Sequence, residues 1–261
     1  MGSGIMGAEH RGLRGLMKGA LRLVYPPQCL CCGAPVADEG GLCPACWREA
    51  DFITGTCCAR CGAPLPGDGA GDAADAAAGL LVCDDCLRVR RPWQQGRAAL
   101  VYRGSGRRLA LMLKHGDRLD LAPALGGWVA RAALPLLRPE TVVVPVPVHL
   151  RRLLKRKYNQ AEMLSRHVAR AHGLAHLPGA LRRLRHTPMQ DHGSVGDRFA
   201  NVDRAIGVPA RMAAQVQGRA VLLVDDVMAS GATLAASADA LAAAGAGPIS
   251  VVVLARAVKD A

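Results

Sequence analysis

Residues 221–234 read VLLVDDVMASGATL. Four apolar residues run into two acids, Asp225 and Asp226, and then into a small-residue turn, Ala229-Ser230-Gly231-Ala232-Thr233, that opens a helix. The turn supplies backbone N–H groups, the Ser230 and Thr233 hydroxyls and the positive end of a helix dipole, and Gly231 lets the main chain come close to a ligand. That is a cradle for a phosphate monoester. The acids would repel the phosphate itself, but they accept hydrogen bonds from vicinal ribose hydroxyls. A diol grip beside a phosphate cradle describes a phosphoribosyl group. The stretch lacks the Gly-Lys-Ser/Thr ending of a nucleoside-triphosphate loop. A helix capped by Ser or Thr would explain the hydroxyls, but not two acids after four apolar residues.

All ten cysteines fall between Cys29 and Cys86, eight of them in four Cys-x-x-Cys pairs: Cys29/Cys32, Cys43/Cys46, Cys58/Cys61 and Cys83/Cys86. Two residues between thiolates let one tight turn present both sulfurs to a tetrahedral ion, whereas a disulfide across so short a loop is strained. Glycines follow two of the pairs, Gly33 and Gly62, where such a turn asks for a positive φ. Sequential pairing gives two four-thiolate sites, and a cross-braced pairing remains compatible with the spacing. We expect two structural Zn²⁺ ions, with redox pairs or an iron–sulfur cluster as alternatives. Four thiolates leave no open position for a catalytic water, so the metal supplies folding free energy. Cys31 and Cys57 are left over as spectators or alternate ligands.

These groups sit in a chain of 261 residues, long enough for a sizeable core, with 51% hydrophobic and 21% charged residues. That composition excludes a largely disordered protein. No apolar run approaches the roughly 18–20 residues of a membrane span. With no export signal and reduced thiols, a cytoplasmic location is expected. The net charge of +12 points to a polyanionic partner. The surplus is concentrated: residues 141–204 hold twelve Arg or Lys against four acids.

Positioning elements can be read around the chemistry. Leu13, Leu16, Met17, Ala20, Leu21 and Val24 recur at helical spacing, giving an amphipathic helix within residues 1–24. Residues 25–92 form the double ribbon, with Gly67–Gly79 as a flexible Gly/Ala/Asp insertion. Residues 97–261 alternate strands and helices. The spacing predicts strands at Ala99–Tyr102, Thr141–Val148, Ala220–Val224 and Ile249–Ala255, and helices at Gly106–Lys114, Leu121–Leu137, Gln160–Ala171 and Thr233–Ala244. Such alternation implies an α/β fold, a parallel sheet flanked by helices, whose ligands bind beyond the C-terminal strand ends after Val148 and Val224.

The stretch VLLVDDVMASGATL resembles the phosphoribosyl-pyrophosphate motif of type I phosphoribosyltransferases. More widely, CLCCG…CPACW, CARCGAPL, LKHGDRL, VVVPVPVHLRRLLKRKYNQAEMLSRHVA and RHTPMQ…DRFANV resemble the ComF family of competence-associated, amidophosphoribosyltransferase-like proteins. The resemblance covers nearly all of residues 25–255. It implies a type I phosphoribosyltransferase fold with an N-terminal double zinc ribbon. It places Asp225 and Asp226 on the ribose hydroxyls and Ala229, Ser230, Gly231, Ala232 and Thr233 on the 5-phosphate. Val148–Arg152 becomes a pyrophosphate loop and Arg182–Arg198 a mobile catalytic loop, which makes Arg151, Arg152 and Arg198 the candidate catalytic residues. Phosphoribosyl pyrophosphate arrives with Mg²⁺, and the basic surplus suits capture of that polyanion and of its leaving pyrophosphate.

The chain departs from the family pattern at three places. Met228-Ala229 replaces a usual Thr or Val with Thr, Lys157 stands where Gly usually precedes Tyr158-Asn159-Gln160, and His192-Gly193 replaces a usual Leu. Three functions follow from the resemblance and the charge. The first is phosphoribosyl transfer to an unidentified nitrogen nucleophile, and the second a non-catalytic sensor of phosphoribosyl pyrophosphate. The third is a single-stranded DNA accessory module working with competence-machinery proteins, against which stand only three aromatics (Tyr102, Trp128, Tyr158) between residues 97 and 198.

Overall fold

The computed structural model describes residues 25–66, 81–115, 118–148, 153, 157–184 and 205–258. The expected helix ending at Val24 and the insertion Gly67–Gly79 lie outside them. Two compact units, Met1–Arg48 and Glu49–Ala261, divide the chain. In the first, Gln28 bridges Pro35 across the Cys29/Cys32 knuckle, and helix α1 (Pro44–Arg48) carries Cys46. The second ribbon belongs to the larger unit, so the division falls between the ribbons and not between them and the α/β region.

The larger unit runs α2 (Asp84–Arg88), β1 (Gln95–Val101), α3 (Gly104–His115), α4 (Ala122–Ala133), β2 (Val142–Pro145), α5 (Gln160–His172), β3 (Ala175–His176), β4 (Arg182–Arg183), β5 (Ile206–Gly207), α6 (Ala210–Val216), β6 (Val221–Met228), α7 (Ala232–Ala243) and β7 (Ile249–Arg256). Five strands form one parallel sheet in the order β1-β7-β6-β2-β3. The apolar runs of β2, β6 and β7 are buried on both faces, as a helix-covered parallel sheet demands. On one face Val142, Val144, Leu223, Val251 and Val253 pack with Leu234, Ala238 and Leu241 of α7. α4 and α5 pack on each other and against the sheet. α5 starts where the Asn159 side chain accepts the Ala161 N–H and stops at Gly173, whose φ of 64° no β-branched residue would hold cheaply.

The second ribbon is part of this core. Cys58, Cys61, Ala63 and Trp93 join the cluster beneath α7. Backbone bonds from Ile53 N–H to Ala99 O, Val101 N–H to Asp51 O and Gly96 N–H to Ala59 O lay the ribbon along β1, covering an edge that would otherwise be open. Gly62 is required there, because a Cβ would sit 2.5 Å from the Ala98 nitrogen.

Several element boundaries differ from the sequence reading. β2 ends at Pro145, not Val148, since Pro145 and Pro147 cannot donate to a ladder. The Leu121–Leu137 helix is α4 bracketed by 3-10 turns at Leu119–Leu121 and Leu134–Leu136, with a proline in the first turn of both α4 and the second 3-10 turn. β6 does not stop before the acids: β7 continues its ladder to Met228, pairing Asp225 with Val253 and Met228 with Arg256. Among the described residues, no helix is long and apolar enough to cross a membrane.

Candidate functional site

The strand order reverses between β2 and β6. From β2 the chain goes outward to β3 on one side, while β6, β7 and β1 lie on the other. Such a reversal opens a crevice at the C-terminal strand ends. Here β2 runs out first: its last pair is Pro145 with Val224, followed by a Val146 N–H bond of 2.9 Å to Val224 O. Beyond that point β6 is paired with β7 on one side and, among the described residues, with no strand on the other. Asp225, Asp226 and Val227 line this cleft with Val146, Pro147, Val148, Lys114, Asn159, Gln160, Ala161, Arg183 and Thr233. The overhang of β6 past β2 thus presents both carboxylates to a cleft that, among the described residues, also carries Lys114 and Arg183.

The acids are held by their own backbone. Asp225 Oδ1 accepts the Asp226 N–H at 2.9 Å, and Asp226 Oδ1 accepts the Val227 N–H at 2.8 Å, which fixes both side chains at the strand end. Burial pushes the Asp225 carboxyl well above the ordinary carboxylate range, and the neighbouring Asp226 charge pushes it further, while the Asp226 N–H and the Lys114 charge act the other way. A carboxylate strained in this manner gains from any hydroxyl that donates to it.

Asn159 and Gln160 reach the cleft because the start of α5 is tied to neighbouring segments: Asn159 Nδ2 donates to Val146 O at 3.1 Å, and Gln160 Nε2 donates to Lys114 O at 3.4 Å. Tyr158 Oη donates to Leu113 O at 3.0 Å, locking the end of α3 that bears Lys114. Just before them Lys157 adopts φ 66°, in the left-handed region.

Residues 229–231 form the turn between β6 and α7. Of the expected phosphate-binding residues, Thr233 lines the cleft with the acids. Ala229, Ser230, Gly231 and Ala232 make the adjoining turn and first helical residue without themselves lining the cleft. Gly231 has φ 81°, and Ser230 Oγ accepts the Ala232 N–H at 3.3 Å. Behind the turn, Arg256 Nη1 donates to Met228 O at 3.3 Å and Ala229 O at 2.8 Å, and Arg91 Nη1 donates to Ser230 O at 2.5 Å.

The cysteines pair sequentially. Cys29, Cys32, Cys43 and Cys46 bring their sulfurs within 4.8 Å of one another, as do Cys58, Cys61, Cys83 and Cys86. Cross-bracing is thereby ruled out, and Cys31 and Cys57 stand outside both sets. Sulfur separations of 3.6 Å for Cys32–Cys43 and Cys61–Cys83 match the roughly 3.8 Å edge of a tetrahedron with Zn–S bonds of about 2.3 Å. The Cys83 N–H points at Cys58 Sγ at 3.3 Å, the kind of amide bond that supports a bound thiolate. Thiol donation from Cys61, Cys83 and Cys86 holds Cys58 far below the usual thiol range, while the same hydrogen bonds to Cys58 push Cys83 and Cys86 up. Both tetrads fit structural zinc.

Arg151, Arg152 and Arg198 lie outside the described residues. The stem of the expected catalytic loop is described: β4 and β5 pair antiparallel, Arg182 with Gly207 and Arg183 with Ile206, flanking residues 185–204. The sequence reading missed Lys114, Asn159, Gln160 and Arg183 as cleft residues, although each lies in a stretch already singled out.

The double zinc ribbon domain matches residues 20–87, and the phosphoribosyl transferase domain matches residues 176–260. The chain is 31% identical over 241 residues to the DNA utilization protein YhgH of Salmonella typhimurium LT2, covering 90% of this chain and 99% of the relative. The Escherichia coli K12 protein of that name is also 31% identical, over the same shares of both chains. Competence protein F of Haemophilus influenzae is 35% identical over 105 residues, 40% of this chain and 45% of that protein. Among solved structures, the glutamine phosphoribosylpyrophosphate amidotransferase from B. subtilis in complex with ADP and GMP matches at TM-score 0.38 and 18% identity, over 55% of this chain but 30% of that one.

Proposed function

This chain belongs to the ComF family, and from that premise we propose that its cleft binds Mg²⁺–phosphoribosyl pyrophosphate and transfers the phosphoribosyl group to a nitrogen nucleophile. One observation carries the reading: β6 outruns β2, which exposes Asp225 and Asp226 in a cleft shared with Thr233, Lys114 and Arg183. Two acids and two cations in one cleft suit a ligand that is a diol at one end and a polyanion at the other.

In this reading Asp225 and Asp226 accept from the ribose hydroxyls, while the amides of 229–233 with Ser230 and Thr233 hold the 5-phosphate. Breaking the C1–pyrophosphate bond builds positive charge on the sugar ring and negative charge on the leaving group. The two carboxylates oppose the first, and Lys114 and Arg183, with Arg151, Arg152 and Arg198, oppose the second. Mg²⁺, when bound with the substrate, supplies further neutralisation of the pyrophosphate. The acceptor nitrogen then attacks C1. Relatives named for DNA utilization and competence support a place for this chemistry in DNA uptake, on the cytoplasmic side where thiols stay reduced.

Pyrophosphate release, assayed with ammonia and a panel of amines and bases, separates an enzyme from a sensor: a sensor binds and releases nothing. The basic surplus in residues 141–204 also supports a single-stranded DNA contact. That contact weakens steeply with salt and is unchanged in Asp225→Asn.

A further inference from the structure

The turn proposed to hold the phosphate is gripped from behind by two arginines, and both are anchored on the same short piece of the second ribbon. Arg91 Nε donates to Cys86 Sγ at 3.5 Å while its Nη1 donates to Ser230 O at 2.5 Å. Arg256, 2% exposed, faces Asp85 Oδ2 at 3.7 Å through Nη2 and gives Nη1 to Met228 O and Ala229 O. Three consecutive carbonyls, those of Met228, Ala229 and Ser230, therefore point at guanidinium groups, that of Met228 also accepting the Ala257 N–H at 2.9 Å. In a trans peptide the C=O and the next N–H point in opposite directions. Holding these carbonyls to the rear turns the N–H groups of Ala229, Ser230 and Gly231 away from the arginines, toward the side a phosphate would occupy.

The grip leaves no slack. A Cβ on Gly231 would stand 2.7 Å from Arg91 Nη1 and 3.4 Å from the Trp93 ring, and Trp93 is itself fixed by an Nε1 bond of 2.6 Å to Arg60 O. Arg91 also lies 5.6 Å from the centre of that ring, in cation–π range. Asp85 and Cys86 both belong to α2, five residues long, whose place is set by the cysteine tetrad.

We infer that Arg91 is a positioning residue which couples the second zinc site to the phosphate turn, so that the turn keeps its amides-forward shape only while the ribbon's tetrad is closed around its metal. The inference rests on the phosphoribosyl reading for its ligand, but the coupling itself is a property of the chain. Lysine at this position keeps the charge yet cannot hold a sulfur and a carbonyl at once through a planar fork.

The test compares wild type, Arg91→Gln and Arg91→Lys as full-length, zinc-loaded chains. Amide hydrogen exchange is followed at 229–233 and at β7, together with zinc content and the affinity for ribose 5-phosphate. Loss of a charge-assisted bond should speed exchange at 229–233 by about tenfold in both variants, with two zinc ions retained and β7 protection unchanged. Ribose 5-phosphate affinity should fall by a similar factor of about ten. Chelating zinc from the wild type should loosen the same amides. Unchanged exchange at 229–233 in a variant that keeps its β7 protection overturns the coupling, and Arg91→Lys decides if Arg91→Gln does not fold. The exchange readout stands even if the wild type ignores ribose 5-phosphate, an outcome that would instead count against the proposed ligand.

Discussion

Pro145 pairs with Val224, and no residue of β2 pairs with β6 beyond it. Because β6 continues to Met228 against β7 alone, the carboxylates of Asp225 and Asp226 occupy a half-open strand end. A strand position gives them rigidity that a loop would not, and the missing neighbour gives them access.

That geometry costs stability at neutral pH. The Asp225 carboxyl is raised in the folded chain, first by burial and then by Asp226. A raised carboxyl binds its proton more tightly folded than unfolded, so its contribution is fully favourable below the unfolded value of about 3.9 and is lost as pH rises through the folded value. Asp225→Asn should therefore be more stable than wild type at pH 8, by about 1 kcal/mol or ~2–4 °C in Tm. The gap should close as pH falls. Zinc binding weakens alike in both chains as pH falls, so paired melts isolate Asp225. A variant no more stable than wild type at pH 8 contradicts the account.

Lys157 holds φ 66°, where a side chain costs roughly 1–2 kcal/mol. Lys157→Gly should stabilise the chain by about 0.5–1 kcal/mol after the greater freedom of glycine in the unfolded chain is set against that cost. Chemical denaturation reads it as a higher midpoint at constant slope.

Gly231 is fixed by backbone and by space. Gly231→Ala combines an unfavourable φ of 81° with a Cβ 2.7 Å from Arg91 Nη1, so Arg91 has to move. A loss of about 1–3 kcal/mol is expected, with phosphate-ester binding weakened more than global stability suggests.

The two tetrads make a stoichiometric statement. Cys61→Ser should bind one zinc per chain in place of two and lower the Tm of the larger unit, since Cys61 is 0% exposed within the core under α7. Cys57→Ala should keep both ions, because Cys57 stands outside the second tetrad even though it is buried. Metal analysis of the purified variants decides both.

Much of this arrangement was legible in the chain. Cys-x-x-Cys spacing announces its chemistry locally, and apolar runs such as VLLV and TVVV mark buried parallel strands because a sheet covered on both faces buries consecutive residues, not alternate ones. The acids were visible for the same reason, as charge placed where a core strand should be ending. What the sequence did not disclose is where each ladder stops. That depends on which neighbour outlasts which, and only the pairing of β6 with β7 shows that Asp225 lies within a strand. Lys114, Gln160 and Arg183 were hidden because they come from three separate elements that meet only at the cleft. The ribbon's grip on the phosphate turn was equally out of reach, for Arg91 and Ser230 are 139 residues apart. The two-residue strands β3, β4 and β5 carry no period at all and are set by their partners.

The central claim is that Asp225 and Asp226 grip a phosphoribosyl group. Calorimetric titration of the zinc-loaded chain with Mg²⁺–phosphoribosyl pyrophosphate, run beside Asp225→Asn, tests it most directly. The account predicts one site per chain in the wild type and a loss of at least about a hundredfold, roughly 2.7 kcal/mol, in the variant. Equal binding by the two chains, or no binding by the wild type, would contradict it.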